Sequence, residues 1–231
     1  MTDVTVTIPR VREQIAGAAQ ACGRDPQAVH LVAVSKRHPA SMVREALAAG
    51  QRHFGENYVA EALEKIAAID SPEAIWHFIG QLQGNKTRDV AAHFQWVHTV
   101  DRARIARRLS AQRPDNLPAL NVCLQMSLED DPRRGGAQTS DLAALADLVD
   151  SLPGLRLRGL MGMPPAGLSA DELHTAFRSV ASMLATLNEA RGTLDVLSMG
   201  MSGDLEIAIA EGATHVRVGT AIFGQREPLA L

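Results

Sequence analysis

Residues Val29 to Ser35 read VHLVAVS and run straight into Lys36, so the most apolar strand-like stretch of the chain closes on one of its three lysines. A short apolar, β-branched run bounded by polar residues has the length of a buried strand, not of a helix. Beyond it, Ser41 to Ala49 shows helical spacing with one polar side. The same alternation continues outward. Seven further runs read as strands: Arg52 to Glu56 (RHFGE), Ile75 to Ile79 (IWHFI), Gln95 to Val100 (QWVHTV), Ala119 to Met126 (ALNVCLQM), Arg156 to Met161 (RLRGLM), Leu194 to Met199 (LDVLSM) and His215 to Val218 (HVRV). Between them, Val59 to Ile69, Leu142 to Leu152 and Leu173 to Ala190 are amphipathic at helical spacing. Strands alternating with amphipathic helices are the pattern of βαβ units and a parallel sheet.

Eight strand and helix pairs point to a single closed (β/α)8 barrel of the TIM type, preceded by an extra helix over roughly Pro9 to Ala21. A doubly wound open sheet produces similar local patterns, and periodicity alone does not separate the two. The helix punctuation is consistent with either. Pro39 suits a first helical turn, Asp101 is placed to cap a helix at Arg102, and Ser169 with Glu172 forms the S-x-x-E capping pattern. Gly50 and Gly212 stand where helices end. Glu129 to Thr139 (EDDPRRGGAQT) reads as a long polar loop.

The chain has 231 residues, which suits one barrel domain spanning 1–231, since such barrels commonly run to ~250 residues. Apolar residues make up 46% and charged residues 21%, which leaves ample surface for a core and excludes global disorder. A net charge of −3 with scattered arginines argues against nucleic acid as a partner. The opening MTDVTVTIPR lacks the charged and apolar regions of a signal peptide, and no eighteen apolar residues occur together, so the expected setting is the cytoplasm, away from any membrane. Cys22 and Cys123 are far apart, have no CxxC spacing and are expected to be buried thiols. The eight histidines are dispersed with no HExxH, which gives a metal site no support. Neither a P-loop nor a complete GxGxxG follows a strand.

In a (β/α)8 barrel the active groups sit at the C-terminal ends of the strands. Those positions here are Ser35 and Lys36, Glu56 and Asn57, Gly80 to Lys86, Gly200 to Asp204, and Gly219 to Gly224. Lys36 comes first among them because the chain has three lysines against twenty arginines, and only this one closes an apolar strand. A lysine partly desolvated at a strand mouth is more readily neutral, and a neutral amine can attack an aldehyde. The plainer alternative is a rim lysine reaching for water. Lys65, beside Glu61 and Glu64 in a helix, and Lys86, at the start of a polar helix, read as ordinary solvated or ion-paired side chains.

The loops after strands seven and eight give a second signal, because barrels often bind phosphate there. Ser202 and Gly203 open a helix over Asp204 to Glu211, and Gly219 and Thr220 open a short final one. Helix starts present N–H groups to an anion, and glycine allows close approach; simple capping by Ser202 is the competing explanation. Arg217 alternates with Val216 and Val218, so it points to the opposite face. If that face is the barrel interior, a guanidinium that only donates is buried near the phosphate-type loops, placed to meet an acceptor atom of a ligand. A structural ion pair is the alternative. His77 reads equally well as a ligand contact or a satisfied core residue, and the methionines of LMGMPP and LSMGMS read as barrel packing.

Six blocks in order, HLVAVSK at Lys36, HFGENYVAE at His53 to Glu61, WHFIGQLQGNK at Trp76 to Lys86, LRLRGLM at Leu155 to Met161, LSMGMSGD at Leu197 to Asp204 and VRVGTAIFG at Val216 to Gly224, resemble the pyridoxal phosphate homeostasis protein family across nearly the whole chain. That family is itself similar to the N-terminal barrel domain of alanine racemase. The resemblance implies pyridoxal 5′-phosphate (PLP) as cofactor, with Lys36 carrying the Schiff base, Arg217 facing the pyridine nitrogen, Ser202 and the backbone of Gly219 and Thr220 holding the phosphate, and Asn57 lining the pocket. One departure is visible after the fifth strand: the family often has a lysine shortly before a glycine, and this chain has Arg133, Arg134 and Gly135.

Two functions follow from the resemblance. One is a PLP carrier that buffers or delivers the cofactor, with PLP-dependent apo-enzymes as possible partners and no established turnover. The other is an amino-acid racemase or related enzyme. Racemisation needs acid or base groups on both faces of the substrate, and in alanine racemase a tyrosine from a second domain serves one face. No second domain is expected in these residues, and the only tyrosine is Tyr58. An arginine beside the ring nitrogen also restrains carbanion chemistry. The carrier reading therefore leads, and a monomer is expected.

Overall fold

The computed structural model describes residues 2–129 and 135–225. Eight parallel strands close into a barrel in sequence order: β1 (His30–Val34), β2 (His53–Glu56), β3 (Ile75–Phe78), β4 (Trp96–Val100), β5 (Leu120–Gln125), β6 (Leu155–Met161), β7 (Val196–Ser198) and β8 (His215–Val218). Pairing of β1 with β8, from His30 opposite His215 to Ala33 opposite Val218, completes the ring and decides against the open sheet.

Nine helices are described: α1 (Val4–Ala21), α2 (Ala40–Ala48), α3 (Val59–Ile69), α4 (Thr87–His93), α5 (Ala103–Gln112), α6 (Leu142–Asp150), α7 (Ala170–Glu189), α8 (Leu205–Ala210) and α9 (Thr220–Phe223). The outer helices bury their apolar faces on the strands in one continuous core. No helix among the described residues is long and apolar enough to cross a membrane.

Local signals hold in most places. Ser169 and Glu172 form the reciprocal capping box of α7, and Gly50 and Gly212 follow α2 and α8 with positive φ. Three do not. The leading helix begins at Val4, not near Pro9, because Asp3 accepts from the Thr5 N–H and caps it; Pro9 then costs the helix a single backbone donor. Asp101 does not cap α5. Its carboxylate pairs with the Arg102 guanidinium at 2.7 and 2.9 Å, leaving the helix start without a side-chain cap. Pro39 stands just before α2 as its N-cap residue.

Cys123 is buried in the barrel, but Cys22 is exposed, because α1 ends there and turns the side chain outward. Of the noted departure after β5, Arg133 and Arg134 lie outside the described residues.

The lower half of the barrel interior is unusual in its chemistry. Branched aliphatic side chains commonly fill such barrels. Here His77, His98 and His215 pack against Trp96 and one another with ring centroids 5.0 to 6.3 Å apart, and His53 and the exposed His30 extend the cluster to the lower mouth.

Candidate functional site

A cavity of about 250 Å³ opens at the C-terminal ends of the strands. Lys36, Asn57, Ser202, Arg217, Gly219 and Thr220 all line it, together with Val34, Ile79, Met163, Met201 and Gly203. Six residues singled out along the sequence therefore share one hollow. Met161 and Met199 are barrel packing, Met163 both packs against the interior cluster and lines the cavity, and Met201 is exposed at its edge. Three larger hollows lie elsewhere among the described residues. One of about 370 Å³ lies beside Asn57 and takes Tyr58 and much of the Gly80 to Lys86 segment. Another, of about 380 Å³, is at the opposite end of the barrel around Arg12, His30 and His53, and a third, of about 330 Å³, lies between Gly84, Arg102 and Arg108. None of them contains a strand-end lysine with a phosphate-type loop, so the smallest of the four has the best chemistry.

Strand alternation turns Arg217 inward, where it is buried with 6% of its surface exposed. Its NH1 donates to Ser198 Oγ at 2.8 Å and its NH2 to the Gly162 carbonyl at 3.2 Å. Neither acceptor is a carboxylate, so the described bonds are not those of the structural ion pair considered from sequence. Burial pulls its pKa down to about 10, with Asp204 and Cys123 acting the other way, and the group remains a cation at neutral pH.

The two anion-type loops are shaped by short local contacts. Gly200 takes φ +92, and a Cβ there would meet the Ala208 Cβ at 2.6 Å, so the chain can leave β7 in this direction only as glycine. The Met201 N–H then donates to Asp204 Oδ1 at 2.5 Å, and α8 starts at Leu205. Asp204 is the residue that closes this turn, and Ser202 is exposed beside the cavity with no capping bond to α8. Gly219 leads into α9 and its carbonyl accepts from the Ile222 and Phe223 N–H groups, both at 2.9 Å.

Lys36 is half-buried between two anchored neighbours. Ser35 is fully buried and its hydroxyl donates to Glu56 Oε1 at 2.6 Å. Lys65 reaches the same place from α3: Nζ donates to the Ser35 carbonyl at 2.7 Å, to Glu56 Oε1 at 2.7 Å and to Glu61 Oε1 at 2.6 Å. On the other side, Arg37 adopts φ 63, a left-handed conformation, and its N–H donates to Glu61 Oε1 at 2.5 Å. Lys65 is thus no ordinary surface lysine; it is 4% exposed. The helix itself carried the signal, since Val59, Ala62 and Lys65 recur every three residues on the buried face of α3.

Glu56 also lies outside the cavity lining. Burial raises its pKa, against the lowering influence of Lys65 and Ser35. His77 is a satisfied core residue, completely buried and hydrogen-bonded to His53 and His98.

The alanine racemase N-terminal domain family matches residues 6–227. The pyridoxal phosphate homeostasis protein of Pseudomonas aeruginosa is 54% identical over 227 residues, covering 98% of this chain and 97% of that protein. Its Escherichia coli namesake is 48% identical over 230 residues, covering 98% of each. Among solved structures, PipY of Synechococcus elongatus with PLP bound is 43% identical with a TM-score of 0.81, over 91% of this chain and 100% of that one. Alanine racemase from Corynebacterium glutamicum, 16% identical with a TM-score of 0.67, shares the fold over 96% of this chain and 62% of its own.

Proposed function

The chain belongs to the family of pyridoxal phosphate homeostasis proteins, and from that premise we propose that it holds PLP in the cavity between Lys36 and Arg217 as a carrier, buffering the cofactor or delivering it to PLP-dependent apo-enzymes. The observation that carries this is the convergence of Lys36, Asn57, Ser202, Arg217, Gly219 and Thr220 on one hollow from five separate loops and strands.

The donor set fits the cofactor. Asn57 Oδ1 is buried with no hydrogen-bond partner among the described residues, an acceptor waiting for a donor. Gly219 brings its backbone close to the cavity wall, where a Cβ would stand 3.2 Å from the Val34 carbonyl oxygen. A Cβ on Gly203 would meet nothing within 4 Å, leaving room for an anion at the loop.

When bound, PLP would supply an aldehyde carbon to which a neutral lysine amine can bond, with loss of one water. Lys36 is the amine at the cavity. Ser202 and the backbone N–H groups of Gly219 and Thr220 would hold the phosphate. Arg217 remains protonated and only donates, so a ring nitrogen held against it would have to accept its hydrogen bond, which favours the unprotonated ring. An unprotonated ring withdraws electrons weakly, which disfavours proton removal from a bound amino acid. The single tyrosine, Tyr58, is half exposed and lines the neighbouring hollow, not this one. These residues support a reading in which the cofactor is held and released without efficient turnover. The protein is proposed to act as a monomer in the cytoplasm.

The test is an absorbance titration of the pure protein with PLP, followed by borohydride reduction and peptide mapping. Label on Lys36 is the expected result. Label confined to Lys65 and Lys86, or none, would overturn the assignment. Turnover of an amino acid at an ordinary enzymatic rate, abolished by Lys36→Ala, would replace the carrier with an enzyme.

A further inference from the structure

From the buried guanidinium, a continuous line of hydrogen bonds runs down the inside of the barrel. Arg217 NH1 to Ser198 Oγ is 2.8 Å, Ser198 Oγ to His98 Nδ1 is 2.7 Å, His98 Nε2 to His77 Nδ1 is 2.8 Å, and His77 Nε2 to His53 Nδ1 is 2.8 Å. His53 lines the large hollow at the opposite end, so the line spans the barrel from one mouth to the other.

The donors can be placed by elimination. Arginine only donates, so Ser198 Oγ accepts from it. Ser198 is fully buried, and its own hydrogen has His98 Nδ1 as acceptor. A neutral His98 then carries its proton on Nε2 and donates to His77 Nδ1, and His77 in turn donates from Nε2 to His53 Nδ1. His53 is left with an Nε2–H at the hollow, where solvent can accept it. Running the line the other way would strand the serine hydrogen in the core. Burial keeps His77 and His98 well below their ordinary pKa, which maintains the neutral rings the line requires.

We propose that Ser198 is a positioning residue for Arg217, and that His98, His77 and His53 hold it there through one line of hydrogen bonds pointing away from the cofactor cavity. Ser198 Oγ and the Gly162 carbonyl fix the guanidinium plane at two points, and the imidazoles fix the serine rotamer. This rests on the reading of Arg217 as the ring-nitrogen donor. The line itself does not need that reading.

Long-range nitrogen–proton NMR of the cofactor-free protein reads the tautomers directly. Nε2–H on both His98 and His77 is expected, and Nδ1–H on His98 would overturn the proposal whatever any variant does. In Ser198→Ala, His98 should lose its single tautomer and PLP affinity should fall roughly tenfold, with Ser198→Thr restoring most of both. Unchanged affinity in a folded Ser198→Ala would also overturn the positioning role. If the unmodified protein binds no PLP, the carrier reading fails with the role of Arg217, while the Nε2–H tautomers would still establish the line.

Discussion

Lys65 Nζ lies 2.7 Å from the main-chain oxygen of Ser35, the residue immediately before Lys36. The same ammonium holds Glu56 and Glu61, and Glu61 also takes the Arg37 N–H. A lysine on α3 therefore sets the backbone on both sides of the lysine in the cavity. Rigid support of this kind is what keeps a reactive side chain within reach of its target.

Lys65→Met tests that support. It keeps the length of the side chain but leaves Glu56 buried without its cation, and removing one partner of a buried pair is the costly way to break it. A loss of about 3 kcal/mol in urea denaturation is expected, together with weaker PLP binding. A variant as stable as the parent would show that the ammonium is dispensable.

Gly200→Ala tests the turn after β7. The added Cβ must adopt φ +92 and would press against the Ala208 Cβ at 2.6 Å. Together these should cost on the order of 2 kcal/mol, and the displaced loop carries Ser202 with it. Thermal melting gives the first quantity and a phosphate or PLP titration the second; a parent-like melt would contradict the strain.

Acid should destabilise the barrel before most carboxylates titrate. Burial, aided by neighbouring imidazoles, holds His53 down to about 4 and His215 to about 3, and puts His77 and His98 well below the ordinary 6.5. In the unfolded chain these rings take up protons near 6.5, so below that point the unfolded state binds more protons and stability falls with pH. Glu56, with its pKa raised by burial, acts in the opposite sense, but one carboxylate is set against four rings. The melting temperature should drop by more than about 10 °C between about pH 7 and about pH 5. A flat profile across that window would mean the rings are not held neutral.

The two thiols should react in sequence. Cys22 is exposed, whereas burial pushes the Cys123 thiol up to about 12, with Arg158 and Arg217 opposing. A thiol reagent should consume one equivalent in the native protein and a second only after denaturation. Two rapid equivalents under native conditions would place Cys123 at the surface.

Much of this was legible in the chain itself. The strand at His215–Val218 and the helix at Val59–Ile69 lie where periodicity put them, because a strand or helix is decided by neighbours two to four residues away. Once the elements alternate, the strand ends follow, and Lys36, Asn57, Ser202, Arg217, Gly219 and Thr220 are strand-end or adjacent residues that share a cavity. What depended on tertiary structure involved partners distant in sequence. Asp101 has the composition of a cap, yet the Arg102 guanidinium took its carboxylate. Lys65 looked solvated beside Glu61 until α3 packed its face against β2 and buried the ammonium over Ser35. The histidines are scattered along the sequence and show no motif. Only closure of β1 on β8 brings five of them into one cluster, with His30 exposed at its rim, and lines three up behind Ser198 and Arg217. Short-range periodicity specifies which elements form, and the closure of the ring specifies which buried polar groups must satisfy one another.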